Sequence, residues 1–291
     1  MPAYRSHTVI EVARGVKAFF TLAAGVTRGE VPDPDALQSA IEAQTRKLAE
    51  AHRQIERQNK HIQKLQSSLP DVGSRRTTEP DEPARIVERF HKLYYNASST
   101  SGTWKSTYWL GVPIWKCPLD MWIYQEIIFE QRPDIIIETG TAFGGSALFL
   151  ACMCDLVGNG EIVTVDIEHR EGRPQHDRIR YMQGSSTAEE IVKQVKQAAN
   201  GGKVLVILDS DHSKDHVLEE LHTYSGLVHT GGYVIVEDTN VNGHPVRPHF
   251  GLGPMEAVDE FLAASKDFTV DESKEKFYMT FNPRGFLKKV G

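Results

Sequence analysis

The chain has 291 residues, 40% hydrophobic and 25% charged, with a formal net charge of -6. This is the composition of a soluble globular protein, and its acidic balance argues against a nucleic-acid partner, because phosphate binding shows as a basic face. Cys117, Cys152 and Cys154 form no C-x-x-C pair, which speaks against a disulfide framework and a cysteine zinc centre and reads as reduced thiols in a cytoplasmic protein.

Residues 9–26 are apolar but are interrupted by Glu11, Arg14 and Lys17. They read as an amphipathic helix, so no transmembrane segment is expected. From Asp35 to Leu69 there is neither glycine nor proline, and Ile41, Leu48, Ile55, Ile62 and Leu69 recur in one heptad phase. Their companions Gln44, Ala51, Gln58 and Leu65 are mostly weak. The stripe predicts a long helix in an oligomerising coiled coil, hence a homo-oligomer, with a helix lying on its own domain as the alternative. Pro70 ends it, and residues 70–83 are polar and rich in proline, as a linker is. The expected organisation is a helical region 1–69, a linker 70–83 and a catalytic domain 84–291.

Within that domain, residues 86–93 have helical spacing. Residues 103–120 carry Trp104, Trp109, Trp115, Pro113, Pro118 and Gly111, which predicts an irregular loop whose rings either cover a ligand or cap a sheet. A helix is expected over 119–131. Next, a β-branched run ends in Glu138, a turn carries Gly140 and Gly144, a helix follows, and a second strand ends in Asp166. This is a nucleotide-binding strand–loop–helix, with Asp166 placed for ribose hydroxyls, or else an ordinary tight turn. The G-x-G-x-x-G fingerprint is absent, which counts against a nicotinamide enzyme, and so is the Walker A ending.

Strands are then expected over 180–184, 203–209 and 232–238, and helices over 187–200, 213–225 and 254–264. Runs 268–270 and 277–281 are expected to close the sheet as a hairpin. Such alternation predicts an α/β, doubly wound, mostly parallel sheet.

Ligands of such sheets sit beyond the carboxyl ends of the strands. There the sequence places Glu138, Asp166, Asp209, Asp211, Glu237 and Asp238. Carboxylates so crowded repel one another unless something positive lies among them. Oxygen donors without cysteine favour a hard cation such as Mg²⁺. Helix capping is the other reading for Asp209 and Asp211. His212, beside Asp211, is the best-placed base, and His244 and His249 in the loop after Asp238 are further candidates.

Residues 208–213 (Leu-Asp-Ser-Asp-His-Ser), 236–245 (Val-Glu-Asp-Thr-Asn-Val-Asn-Gly-His-Pro) and 138–141 (Glu-Thr-Gly-Thr) together resemble the cephalosporin hydroxylase family and the similar rhamnosyl O-methyltransferases. Residues 109–113 and 281–285 fit the same pattern. The resemblance spans about residues 84–291. It implies a class I, Rossmann-like S-adenosylmethionine (SAM) methyltransferase that uses Mg²⁺ to methylate a hydroxyl of a small molecule, a sugar or a glycosylated or polyketide-like natural product. It implies metal ligands at Asp211, Glu237 and Asp238. Cofactor residues are implied at Glu138, Gly140, Thr141, Gly144, Ser146, Asp166, Gln183, Ser185 and Asp209; His212 and His244 are the expected catalytic residues from their places in the chain. The alternative is a non-catalytic coiled-coil assembly protein with a degenerate domain. A hydroxylase with an iron facial triad is disfavoured, since no His-x-Asp occurs.

Overall fold

The computed structural model describes residues 82–96 and 102–291, together with Gln38, Glu42, Ala43, Thr45, Arg46, Lys47, Ala49, Glu50 and Arg53. The chain divides into two compact units, Met1–Thr78 and Glu79–Gly291. In the first, the described positions are helical and exposed. Glu42 accepts from Gln38 at 3.2 Å and pairs with Arg46 at 3.8 Å, neighbours one helical turn apart. The expected helix 9–26, the heptad positions and the linker as far as residue 81 lie outside the described residues. Among the described residues no helix is long and apolar enough to cross a membrane.

The second unit opens with α1 (Glu82–Asn96). A short hairpin of β1 (Tyr108–Trp109) and β2 (Val112–Pro113) follows. Then come α2 (Pro118–Gln131), β3 (Ile135–Thr139), α3 (Gly145–Val157), β4 (Glu161–Asp166), β5 (Ile179–Gln183) and α4 (Glu189–Ala199). The chain continues through β6 (Val204–Leu208), α5 (Lys214–Tyr224), β7 (Tyr233–Val236), α6 (Pro254–Ala264), β8 (Phe268–Val270) and β9 (Phe286–Lys289). Local signals set the boundaries. Pro118 occupies the first turn of α2, where its missing N–H costs nothing. Arg132 ends α2 in the left-handed region, followed by Pro133.

The seven-stranded sheet runs β5-β4-β3-β6-β7-β9-β8. β5 to β7 are parallel, and β9 and β8 join antiparallel. Period-2 alternation sends neighbouring residues to opposite faces. Ile135, Ile137, Val163 and Val206 pack under α4, α5 and α6, whereas Ile136, Ile162, Leu205 and Ile207 pack under α2 and α3. Burial on both faces is why these strands are continuous apolar runs; each such side chain contributes about 1.5–3 kcal/mol. The expected strand 277–281 is not one. Tyr278 has φ +67°, and Met279 and Phe281 instead join Tyr95, Val241 and Val246 in a separate cluster beneath α1. The antiparallel partner of β8 is β9, which inserts between β7 and β8.

Chain direction across the sheet reverses between β3 and β6, since β4 and β5 lie on one side and β6 and β7 on the other. In doubly wound sheets this switch point opens a crevice at the carboxyl ends.

Candidate active site

A cavity of about 660 Å³ occupies that crevice, bounded by the loops after β5, β4, β3, β6 and β7. Gly140 lets the loops after β3 and β6 meet: at φ +87°, a Cβ there would lie 1.9 Å from the Asp209 carbonyl oxygen. Asp166 is anchored. Its Oδ2 accepts from the Ala142 amide at 2.9 Å and from Arg173 at 2.9 Å, and its Oδ1 accepts from the Glu168 amide at 2.8 Å. Oδ1 keeps lone-pair capacity toward the cavity, which a ribose hydroxyl can use. Gly140, Thr141, Ser146, Asp166, Ser185 and Asp209 all line the cavity.

Three of the expected cofactor residues lie elsewhere. Glu138 is fully buried beneath the floor, where it accepts from Thr164 at 2.7 Å; Thr164 in turn meets Thr141 at 2.7 Å. Burial raises its pKa. Gly144 is the N-cap of α3 at φ +80°, and it is Gly145 that faces the cavity. Gln183 is exposed and faces a separate groove along the β5 edge of the sheet.

On the other side, Asp209, His212 and Asp238 converge, with one ligand atom from each within 4.8 Å of the others. His212 Nε2 lies 3.3 Å from Asp238 Oδ2 and 3.9 Å from Asp209 Oδ1. Asp211 also lines the cavity, with its Oδ1 accepting from the Ser213 amide at 2.7 Å, and is not one of the converging three. Bonding to Ser213 at the start of α5 lowers its pKa. The expected set of Asp211, Glu237 and Asp238 is therefore not the set that converges here.

Glu237 and Asp238 part because Asp238 sits at φ +54°, which sends the two side chains to different levels. Asn282 holds that turn by accepting from the Asp238 amide at 3.1 Å. Glu237 goes below, where Tyr124 donates to it at 2.8 Å and Lys116 bonds to it. Lys116 also meets Asp209 Oδ2 at 2.7 Å. Burial raises the pKa of Asp209, Glu237 and Asp238 against the pull of Lys116 and His212. Arg173 and Lys116 are thus much of the positive charge that a crowded acidic rim requires.

Two of the three tryptophans line the cavity, Trp104 and Trp115, packed edge to face at 6.0 Å. Trp109 packs on Phe149 at 4.9 Å instead. Tyr95 reaches the cavity from α1, and the Arg247 charge of the loop after β7 lies close enough to oppose the rise that burial gives the Tyr95 pKa. His244 does not line it: its ring bonds to Glu256 at 3.0 Å on the outer side of that loop. Against the cost of burial, His244 and the Gly253 amide hold Glu256 down to about 2. His249 is exposed and likewise outside the cavity.

The profile described as Rhamnosyl O-methyltransferase/CmcI matches residues 101–290. The chain is 41% identical over 209 residues to a rhamnosyl O-methyltransferase of Mycobacterium leprae, covering 69% of this chain and 90% of that protein. It is 40% identical over 213 residues to one of Mycobacterium tuberculosis, covering 69% and 84%. Among solved structures, apo CmcI superposes with a TM-score of 0.51 at 20% identity, covering 64% of this chain and 77% of that one. A CmcI structure with Mg and SAM gives 0.50 at 20% identity, over 64% and 78%. These likenesses establish the class I methyltransferase fold. With its family profile matched over most of its length, the chain belongs to the Rhamnosyl O-methyltransferase/CmcI family and is an O-methyltransferase.

Proposed function

We propose that this chain methylates a hydroxyl of a sugar, carried on a glycosylated acceptor, with SAM as methyl donor and a divalent cation as helper. The observation that carries this reading is that the Asp166 side and the Asp209–His212–Asp238 side open into one cavity. The named activity of the curated relatives supports the sugar acceptor.

The donor set fits a hard cation: Mg²⁺ takes one or two carboxylates and keeps several waters, which Asp209 and Asp238 can supply while leaving the imidazole free. Bound SAM would supply an electrophilic sulfonium methyl, and the cation a Lewis acid that lowers the pKa of a hydroxyl it touches. Asp166 binds ribose hydroxyls, and Arg173 fixes the carboxylate that does so. His212 takes the acceptor's proton, and the Asp238 carboxylate beside its Nε2 stabilises the resulting imidazolium. Trp104 and Trp115 shield the site from water and offer apolar faces to a sugar ring. Arg247, held beside Tyr95, orients acceptor oxygens.

Calorimetric titration of SAM and of Mg²⁺, followed by a methyl-transfer assay on rhamnosides, tests this reading. Saturable SAM binding and Mg²⁺-stimulated transfer to a sugar hydroxyl are expected. Absence of SAM binding with and without Mg²⁺ would sink it.

A further inference from the structure

Lys116 has no part in the proton transfer, yet it is among the most deeply placed charges in the domain, only 3% exposed. It lies between β2 and α2, next to Trp115, whose φ of +55° turns the chain there. Trp115 thus lines the cavity while Lys116 runs beneath its floor. Its ammonium touches Asp209 Oδ2 at 2.7 Å and bonds to Glu237. The opposite oxygen of Asp209 faces His212. Asp209 is therefore shared, one oxygen committed to a resident cation and the other turned toward the converging group.

A buried ammonium with two carboxylates has two effects. It compensates acids that would otherwise be stranded in a low dielectric, where an unpaired charge is strongly unfavourable. It also repels any second cation at the same carboxylate, since charges a few ångströms apart near a protein surface still interact strongly. Burial alone would lower the Lys116 pKa, but the Asp209, Glu237 and Glu138 charges outweigh it and hold the side chain protonated.

We propose that Lys116 is a positioning residue that acts as the resident counter-cation of the acidic rim. It fixes Asp209 and Glu237 before metal arrives, and it restrains the affinity of the Asp209–Asp238 pair for a divalent cation. This inference rests on the cation reading given above. A buried ammonium here keeps the metal-free protein folded and the divalent ion exchangeable.

The test uses full-length wild type, Lys116→Met and Lys116→Gln, with Mn²⁺ alone titrated by calorimetry and melting followed in EDTA. The Gln amide still donates hydrogen bonds but carries no charge. Both variants are expected to bind Mn²⁺ tighter than wild type by roughly tenfold or more, to melt lower in EDTA, and to regain stability with Mn²⁺. A variant that folds only with Mn²⁺ gives the same answer, because the divalent ion then replaces the missing ammonium. Mn²⁺ binding equal to or weaker than wild type, or a variant still unfolded at saturating Mn²⁺, would overturn the proposal. If wild type and both variants all ignore Mn²⁺, the cation reading falls and takes this inference with it; SAM titrated into the same samples shows whether the methyl-donor reading survives.

Discussion

The two sides of the cavity are built from different distances along the chain. On the cofactor side, Ala142 meets Asp166 across 24 residues and Arg173 reaches Asp166 across 7. On the acidic side, Lys116 spans 93 residues to Asp209 and 121 to Glu237, and His91 spans 149 to Asn240. The first side is one β–α–β unit with its returning loop. The second exists only once α1, the hairpin segment, β6, β7 and the stretch before β9 have come together. Closing longer loops costs more entropy, and here the closures also bury charge. A cofactor cleft can thus be written into a single motif, whereas the buried supports of the acidic side, Lys116 and His91, are brought in from far along the chain.

Paired variants test this division, with the largest effects expected. Asp238→Asn removes a carboxylate from the converging group. Turnover should fall by roughly a hundredfold or more, with the SAM dissociation constant changed by no more than a few fold. Asp166→Ala should do the reverse: weaken SAM by roughly ten- to a hundredfold, as the loss of hydrogen bonds to a charged group does, yet nearly preserve turnover at saturating SAM. Equilibrium binding and steady-state kinetics on the same preparations decide it. If Asp238→Asn weakened SAM as much as Asp166→Ala, the two sides would not be separable.

The same distances explain what could be read from the sequence. β3, the glycine turn, α3 and β4 follow from local periodicity and turn chemistry, and Gly140, Ser146 and Asp166 take their expected places. Glu138 does not, because a strand residue's face depends on the sheet around it: pointing inward, it is buried under Thr164. The choice between Asp209 and Asp211 turns on one backbone bond, from the Ser213 amide to Asp211. An Asp two residues before a Ser at a helix start is a recognisable local-bonding signal, and here it closes a turn just before the N-cap Ser213 of α5. Lys116 left no such signal. A lone lysine among tryptophans and prolines becomes a counter-cation only through partners far along the chain. The alternation at 277–281 marks burial in an irregular cluster rather than a strand, while β9, ending in Lys288 and Lys289, carries no comparable apolar run.

An acid titration sharpens the comparison with an intermediate effect. α1 docks on the acidic side through His91, which meets Asn240 at 2.9 Å and stacks on Phe281 at 5.6 Å. Burial pushes the His91 pKa down to about 4 from 6.5. A depressed imidazole contributes stability that is fully present above the unfolded value near 6.5 and is lost as pH falls through about 4. Over that window the loss is about 3 kcal/mol. Urea melts of wild type and His91→Gln at several pH values should converge toward acid, because the variant lacks this term. Asp120, which burial pushes up to about 7 despite hydrogen bonds from Thr280 and Phe281, pulls the raw curve the other way. The difference between the two proteins is therefore the readout, and parallel curves would show that His91 protonation is not what loosens α1.

The smallest effect is expected at His244, the second of the two candidate bases. In sequence His212 is the better placed of the two, beside Asp211, with His244 a further candidate on the loop after Asp238. Only His212 faces the cavity, 3.3 Å from Asp238. His244 is tied to Glu256 outside it. General-base removal typically costs a hundredfold or more, roughly 10²–10⁴, so His212→Gln should approach the loss expected for Asp238→Asn. His244→Gln should keep turnover within about twofold, because a surface substitution away from the site is worth little. It should cost only the stability of one part-exposed contact to Glu256. Turnover of both variants at saturating SAM and acceptor checks this directly. A large loss in His244→Gln with His212→Gln unimpaired would mean that the loop after β7 swings inward during the reaction, carrying the base from outside the cavity.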